Sequence, residues 1–200
     1  DHDAEDPTQG AGKDADWRVE AVHDTVDETG TAEIHVHTTD PKYLTPLVSY
    51  IPEHPEVPYP RDVLGYIAGT EGKLTRPDDE INYFKTLADA SPRVQLRVMG
   101  ETEEGREMHV VVVTSSDNMA RLDQYRGYTA ALADPRKTSP DEARDIIEKA
   151  KPIMHITAGL HSPETGPPEM VMELAYRLAV SNHPAIQEIR DNVILLITPI

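Results

Sequence analysis

Residues 152–168 read Pro152-Ile-Met-His155-Ile-Thr-Ala-Gly159-Leu-His161-Ser-Pro-Glu164-Thr-Gly-Pro-Pro168. An apolar, β-branched run, Ile153 to Gly159, ends at a glycine, as a buried strand does when it leaves a sheet. A histidine and a glutamate three residues apart follow on the turn, and Pro167 opens a helix. In open α/β sheets, sites gather at the carboxyl ends of strands. Imidazole and carboxylate are both natural ligands for a divalent metal. The plain alternative is a solvated loop with a local His–Glu hydrogen bond. The same His-x-x-Glu spacing occurs at His2/Glu5, in an acidic stretch with no strand before it. That copy reads as accidental, so the spacing is cheap and the setting of the second copy is what counts.

Working outward, the flanking segments alternate between helix and strand signals. Upstream, Ser139 is an N-cap with Pro140 at the first helical position and Asp141 and Glu142 suited to the dipole; Pro152 ends that helix. Downstream, the helix opened by Pro167 presents Met170, Val171, Leu174 and Leu178 inward, and Val193 to Thr198 is an apolar strand. Further back, Asp78 to Ala88 reads as a helix capped by Asp78 or Asp79, with Ile81, Phe84, Leu87 and Ala88 on one face. Val94, Leu96 and Val98 alternate as a strand. Gly100-Glu-Thr-Glu-Glu-Gly105-Arg106 is a turn, and Met108 to Thr114 makes a second strand, buried on both faces, so the two form a hairpin. Asp117 to Leu132 reads as one helix. The pattern predicts an α/β fold: a mixed, largely parallel sheet with helices on both faces.

The N-terminal part reads differently. Residues 1–30 are acidic and small, and are expected to be a disordered tail that cannot bury enough apolar surface to offset its ordering entropy. Thr31 to Thr38 alternates and suggests a short strand. Residues 41–60 hold six prolines, so an irregular segment that wraps a surface is expected, anchored by Tyr43, Tyr50 and Tyr59. The expected division is therefore a tail over 1–30, a proline-rich segment over 31–77, and the start of a catalytic-type domain over 78–200.

With 36 acidic against 19 basic residues in 200, the net charge is −17, which argues against nucleic acid or an anionic membrane as partner. The scarcity of lysine, seven against twelve arginines, fits a salt-adapted surface. Refolding at low and high salt tests this, and structure lost only at high salt rejects it. Without cysteine, disulfide and thiol chemistry are excluded. No apolar run reaches the length of a membrane span. The chain starts at Asp1 rather than Met, which suggests processing and hence a secreted or periplasmic protein. The oligomeric state is unreadable.

Other motifs give little. Gly69-Thr-Glu-Gly72-Lys73-Leu74 has the look of a phosphate loop, but Leu74 replaces the hydroxyl that would touch magnesium. No Gly-x-Ser-x-Gly elbow exists, and Ser115 and Ser116 suit helix capping. His35 and His37 share a face of the expected strand, more in keeping with a half-exposed edge than with chelation. His155 fits the sheet face. His109 has no neighbour in sequence to pair with, and nothing marks His23, His54 or His183. Met170 and Met172 suit core and flank.

Taken in order, Ser91-Pro-Arg-Val94, Gly100-Glu-Thr-Glu-Glu-Gly-Arg106 and Gly159-Leu-His161-Ser-Pro-Glu164 resemble the zinc carboxypeptidase family, the carboxypeptidase A-like metallopeptidases. The resemblance runs from residue 78 to Ile200 and covers the N-terminal portion of that catalytic domain. It implies that His161 and Glu164 are two of three protein ligands to a catalytic zinc. It also implies a metal-activated water that hydrolyses peptide substrates at their C-terminus, with a glutamate as general base. Zinc would polarise the scissile carbonyl and stabilise the tetrahedral oxyanion. The third ligand, the general base and the substrate-clamping arginine are expected beyond Ile200. Arg106 matches a motif position with a structural role. Pro163 departs from the arginine that digestive members commonly carry before the glutamate, which puts that substrate contact in doubt. Deacylases of N-acyl amino acids in the same superfamily use a similar pair, and an inactive binding module of the same fold is the remaining alternative.

Overall fold

The computed structural model describes residues 23–45 and 48–200. These form eight α-helices and a four-stranded sheet: α1 (Glu28–His37), α2 (Pro60–Leu64), α3 (Pro77–Ala90), β1 (Val94–Glu101), β2 (Glu107–Val113), α4 (Ser116–Met119), α5 (Leu122–Ala133), α6 (Pro140–Lys149), β3 (Ile153–Thr157), α7 (Gly166–Val180), α8 (Pro184–Asn192) and β4 (Ile194–Thr198). The strand order is β1-β2-β4-β3. The sheet is mixed, as expected: β1/β2 and β2/β4 pair antiparallel and β3/β4 pairs parallel. β4 is therefore an inner strand, and β3 forms one edge of the described sheet.

Short-range signals hold well. Ser139 caps α6 in a capping box with Glu142, and Ser115 caps α4 through the Asn118 N–H at 3.3 Å. The β1–β2 hairpin turns at Gly105, whose φ of 76° suits a residue without Cβ. Val111, Val112 and Val113 on β2 are buried, as a strand flanked by β1 and β4 requires.

Several expectations need correction. Residues 31–38 are helical: Asp27 caps α1 by accepting from the Gly30 N–H at 2.9 Å, and Ile34 packs on the core while Val36 stays exposed. The helix expected over 117–132 is two, α4 and α5, with a break at Ala120 and Arg121. No side chain caps α3; Pro77 starts it, and its buried face is Glu80, Tyr83, Phe84 and Leu87 rather than one led by Ile81. On α7, Met172 is in the core but Met170 is half exposed. Of the acidic tail expected over 1–30, residues 1–22 (with His2 and Glu5) lie outside the described residues. Residues 23–30 contain an isolated bridge, Val26 with Pro52, and the start of α1.

The core lies between the sheet and helices α3 and α7. Phe84, Leu87, Val111, Val171, Ala175 and Ile197 are its fully buried centre. The proline-rich segment joins it: Ile51, Val57, Tyr59 and Ile67 belong to the same cluster. Tyr50 and Tyr59 are buried anchors, whereas Tyr43 is exposed beneath the Lys42 ammonium. Behind α7, Arg190 is buried and its Nη1 donates to the carbonyls of Leu178 and Ser181, at 2.9 and 2.6 Å. It thus closes a helix end whose carbonyls have no intrahelical partner. Burial lowers its pKa to about 10.

Candidate metal centre

The loop that carries His161 and Glu164 leaves the sheet at the carboxyl end of β3. The ladder extends one residue past the strand, with the Ala158 N–H donating to the Thr198 carbonyl at 2.9 Å. Gly159 then turns the chain with φ of 66°, and a Cβ there would sit 3.3 Å from the Ile200 Cα. A side chain is therefore disfavoured twice, by conformation and by space. A tight turn follows, closed by the Glu164 N–H donating to the His161 carbonyl at 2.9 Å.

This turn brings the two side chains together. His161 Nδ1 lies 3.0 Å from Glu164 Oε2, and the side chains are 68% and 55% exposed. Two ligands held about 2.0–2.2 Å from a tetrahedral cation stand roughly 3.3–3.5 Å apart. The pair is thus close to the span a zinc ion would bridge, and the donor set of one nitrogen and one oxygen suits that metal. α7 begins two residues later with Pro167 and Pro168 in its first turn, and its positive end favours the Glu164 carboxylate. Among the described residues, no group of three or more His, Cys, Asp or Glu side chains is arranged to hold a metal. The pair alone falls short of the three protein donors that a catalytic zinc takes.

Apart from His37, the other described histidines each meet a neighbouring group. His35 and His37 lie on α1, two apart and so on different faces of a helix; His35 Nε2 is 3.2 Å from the Ser49 carbonyl. His109 does have a near partner: its Nε2 meets Glu107 Oε2 at 3.2 Å, because residues two apart on a strand share a side. His155 Nε2 meets Thr198 Oγ1 at 2.9 Å on the sheet face. His54 and His183 use Nδ1 to accept from backbone N–H groups that follow them, Glu56 and Val57 for the first and Ala185 for the second. The His23 and His183 rings meet edge to face at 5.5 Å. Arg106 is exposed and pairs with Glu104 at 2.8 Å, within the hairpin turn.

Sequence reasoning missed the carboxyl groups on the other side of α7. Glu169 Oε1 accepts from the Thr75 N–H at 3.2 Å and the Thr75 hydroxyl at 2.8 Å, and its Oε2 from the Gly69 N–H at 3.0 Å. Glu173 accepts from the Tyr59 hydroxyl. Glu80 is 1% exposed. Burial, and then the charge of Glu169, pushes the pKa of Glu80 up to about 8. Burial pushes Glu173 up to about 7, with the Tyr59 hydroxyl and Arg177 acting against it and Glu169 with it. Spacing could have marked Glu80, which falls on the apolar stripe Glu80, Tyr83, Phe84 and Leu87 of α3, whereas Glu169 and Glu173 meet Gly69, Thr75 and Tyr59 only through tertiary docking.

No helix among the described residues is long and apolar enough to cross a membrane. None of the curated proteins matches the sequence. Among solved structures, a carboxypeptidase A from Helicoverpa armigera matches at 15% identity with a TM-score of 0.45, a likeness too low to carry an argument. The alignment covers 70% of this chain and 30% of that one, so the chain spans less than a third of that carboxypeptidase. The sequence model of the zinc carboxypeptidase family matches residues 80–200, more than half of the chain and the stretch that contains both the hairpin motif and His161/Glu164. On that match, this chain belongs to the zinc carboxypeptidase family.

Proposed function

We propose that the protein is a zinc-dependent metallopeptidase that hydrolyses peptide bonds at the C-terminus of peptides, with His161 and Glu164 as two of the metal's ligands. The observation that carries this reading is the 3.0 Å approach of His161 Nδ1 to Glu164 Oε2 on an open turn at the end of a parallel strand. In this role His161 donates a neutral ring nitrogen, and Glu164 supplies an anionic oxygen that offsets the metal's charge. Gly159 fixes where the turn leaves the sheet, and so where both donors stand. Zinc held there would polarise a substrate carbonyl and lower the pKa of a water. Under this reading residues 78–200 are the N-terminal part of the catalytic domain and residues 31–77 a segment docked upon it. The same reading makes the protein secreted or periplasmic, which fractionation of the source cells tests.

Metal content and peptide cleavage in the whole protein, with and without a chelator, test the assignment. Stoichiometric zinc and cleavage that stops on chelation are expected; full activity in metal-free protein overturns it. Pro163 motivates a second reading. It leaves no cationic donor before Glu164, and a deacylase acting on N-acyl amino acids fits the same metal pair. Turnover of N-acyl amino acids in preference to peptides selects that reading. Zinc binding with neither turnover selects an inactive binding module.

A further inference from the structure

Residues 50–76 lie along α3 and α7 in a seam dense with polar groups. Tyr176 donates its hydroxyl to the Pro52 carbonyl at 2.7 Å, and Tyr83 donates to Pro58 at 3.4 Å. Arg177 donates to the Tyr50 carbonyl and lies 4.8 Å over the Tyr50 ring. Glu169 holds the Gly69 and Thr75 backbone, and Glu173 holds the Tyr59 hydroxyl. Beside them, Glu80 Oε1 is buried with no hydrogen-bond partner. Asp62, half exposed on α2, accepts from the Tyr59 N–H at 3.0 Å; burial first, and then the acids around them, raise the pKa of Tyr83 and Tyr176. Of the cations nearby, Arg61 pairs with Asp62 at 3.6 Å, and Arg177, which acts on Glu173, is already engaged with Tyr50.

An ionised carboxylate with no partner is costly to bury, and ionised neighbours add to that cost; a neutral acid escapes both penalties. We propose that Glu80 and Glu173 are held in their protonated form in this seam, so that residues 50–76 are a proton-dependent clasp on α3 and α7 that loosens in mildly alkaline solution. The inference stands apart from the metal reading. Glu80 and Glu173 have folded values of about 8 and about 7 against an ordinary 4.5, raised first by burial. The folded seam therefore binds protons more tightly than the open chain. The stability this supplies is complete below the ordinary value and is lost as pH rises through the folded values, the reverse of a salt-bridged carboxylate.

Amide hydrogen exchange on the whole protein, corrected for the intrinsic effect of pH, tests the clasp. Peptides spanning residues 50–76 should lose protection by about tenfold or more between about pH 6 and about pH 9, with peptides from β2 and β4 losing far less. Glu80→Gln keeps the shape and cannot ionise, so it should reduce that loss. Unchanged protection in the wild type, or an equal loss in Glu80→Gln, overturns the proposal. Should Glu80→Gln fail to fold, carboxyl NMR titration of the wild type decides: midpoints for Glu80 and Glu173 well above the ordinary value support the clasp, and midpoints at that value refute it.

Discussion

Within ten residues, from Glu164 to Glu173, the chain places carboxylates in two opposed settings. On the turn before α7, Glu164 and His161 are more than half exposed and touch little besides each other. On the first turns of α7, Glu169 and Glu173 are covered by residues 59–75 and accept hydrogen bonds from them. The turn spends no packing on its polar pair and leaves coordination sites open. The seam satisfies most of its polar groups and leaves Glu80 unpaired in the interior. An exposed pair is available for chemistry because removing it costs the fold little; a buried acid is structural because the fold is built around its protonation.

The contrast is sharpest in stability. Phe84→Ala empties the centre of the core beside the seam and should cost about 3–5 kcal/mol in denaturant unfolding; a loss under about 1 kcal/mol would mean that α3 is not seated there. Tyr59→Phe takes away the donor to Glu173 and should cost about 1–3 kcal/mol, with a higher Glu173 titration midpoint as the companion readout. Gly159→Ala forces a side chain into a left-handed position and towards Ile200, so a cost of about 1–2 kcal/mol is expected together with weaker metal binding. His161→Ala should change the stability of metal-free protein by no more than about 0.5 kcal/mol while zinc binding is lost. Stoichiometric zinc retained in that variant would erase the contrast, since the turn would then not be a metal site.

Local chemistry was readable where neighbours in sequence are neighbours in space. The Ser139–Glu142 box, the Gly105 turn, the β2 valines and the His161–Glu164 spacing are all of this kind. Misreadings arose where one pattern serves two structures. Residues 31–38 alternate as a strand would, yet the Asp27 cap, the burial of Gly30 and the packing of the half-buried Ile34 select a helix, which scatters His35 and His37. α8 went unread, although Pro184 in its first turn and the Ile186/Ile189 spacing mark it as a helix. Met170 and Tyr43 are apolar or aromatic but face outward, because burial depends on what covers a residue and not on its type.

The family and the two metal-ligand candidates, then, are written in short motifs whose geometry a single turn enforces. The order β1-β2-β4-β3 and the raised Glu80 and Glu173 came only from tertiary structure. Their causes are contacts between segments about a hundred residues apart, such as Gly69 with Glu169 and Tyr59 with Glu173. Desolvation belongs to the space such contacts enclose, and no window of sequence contains that space.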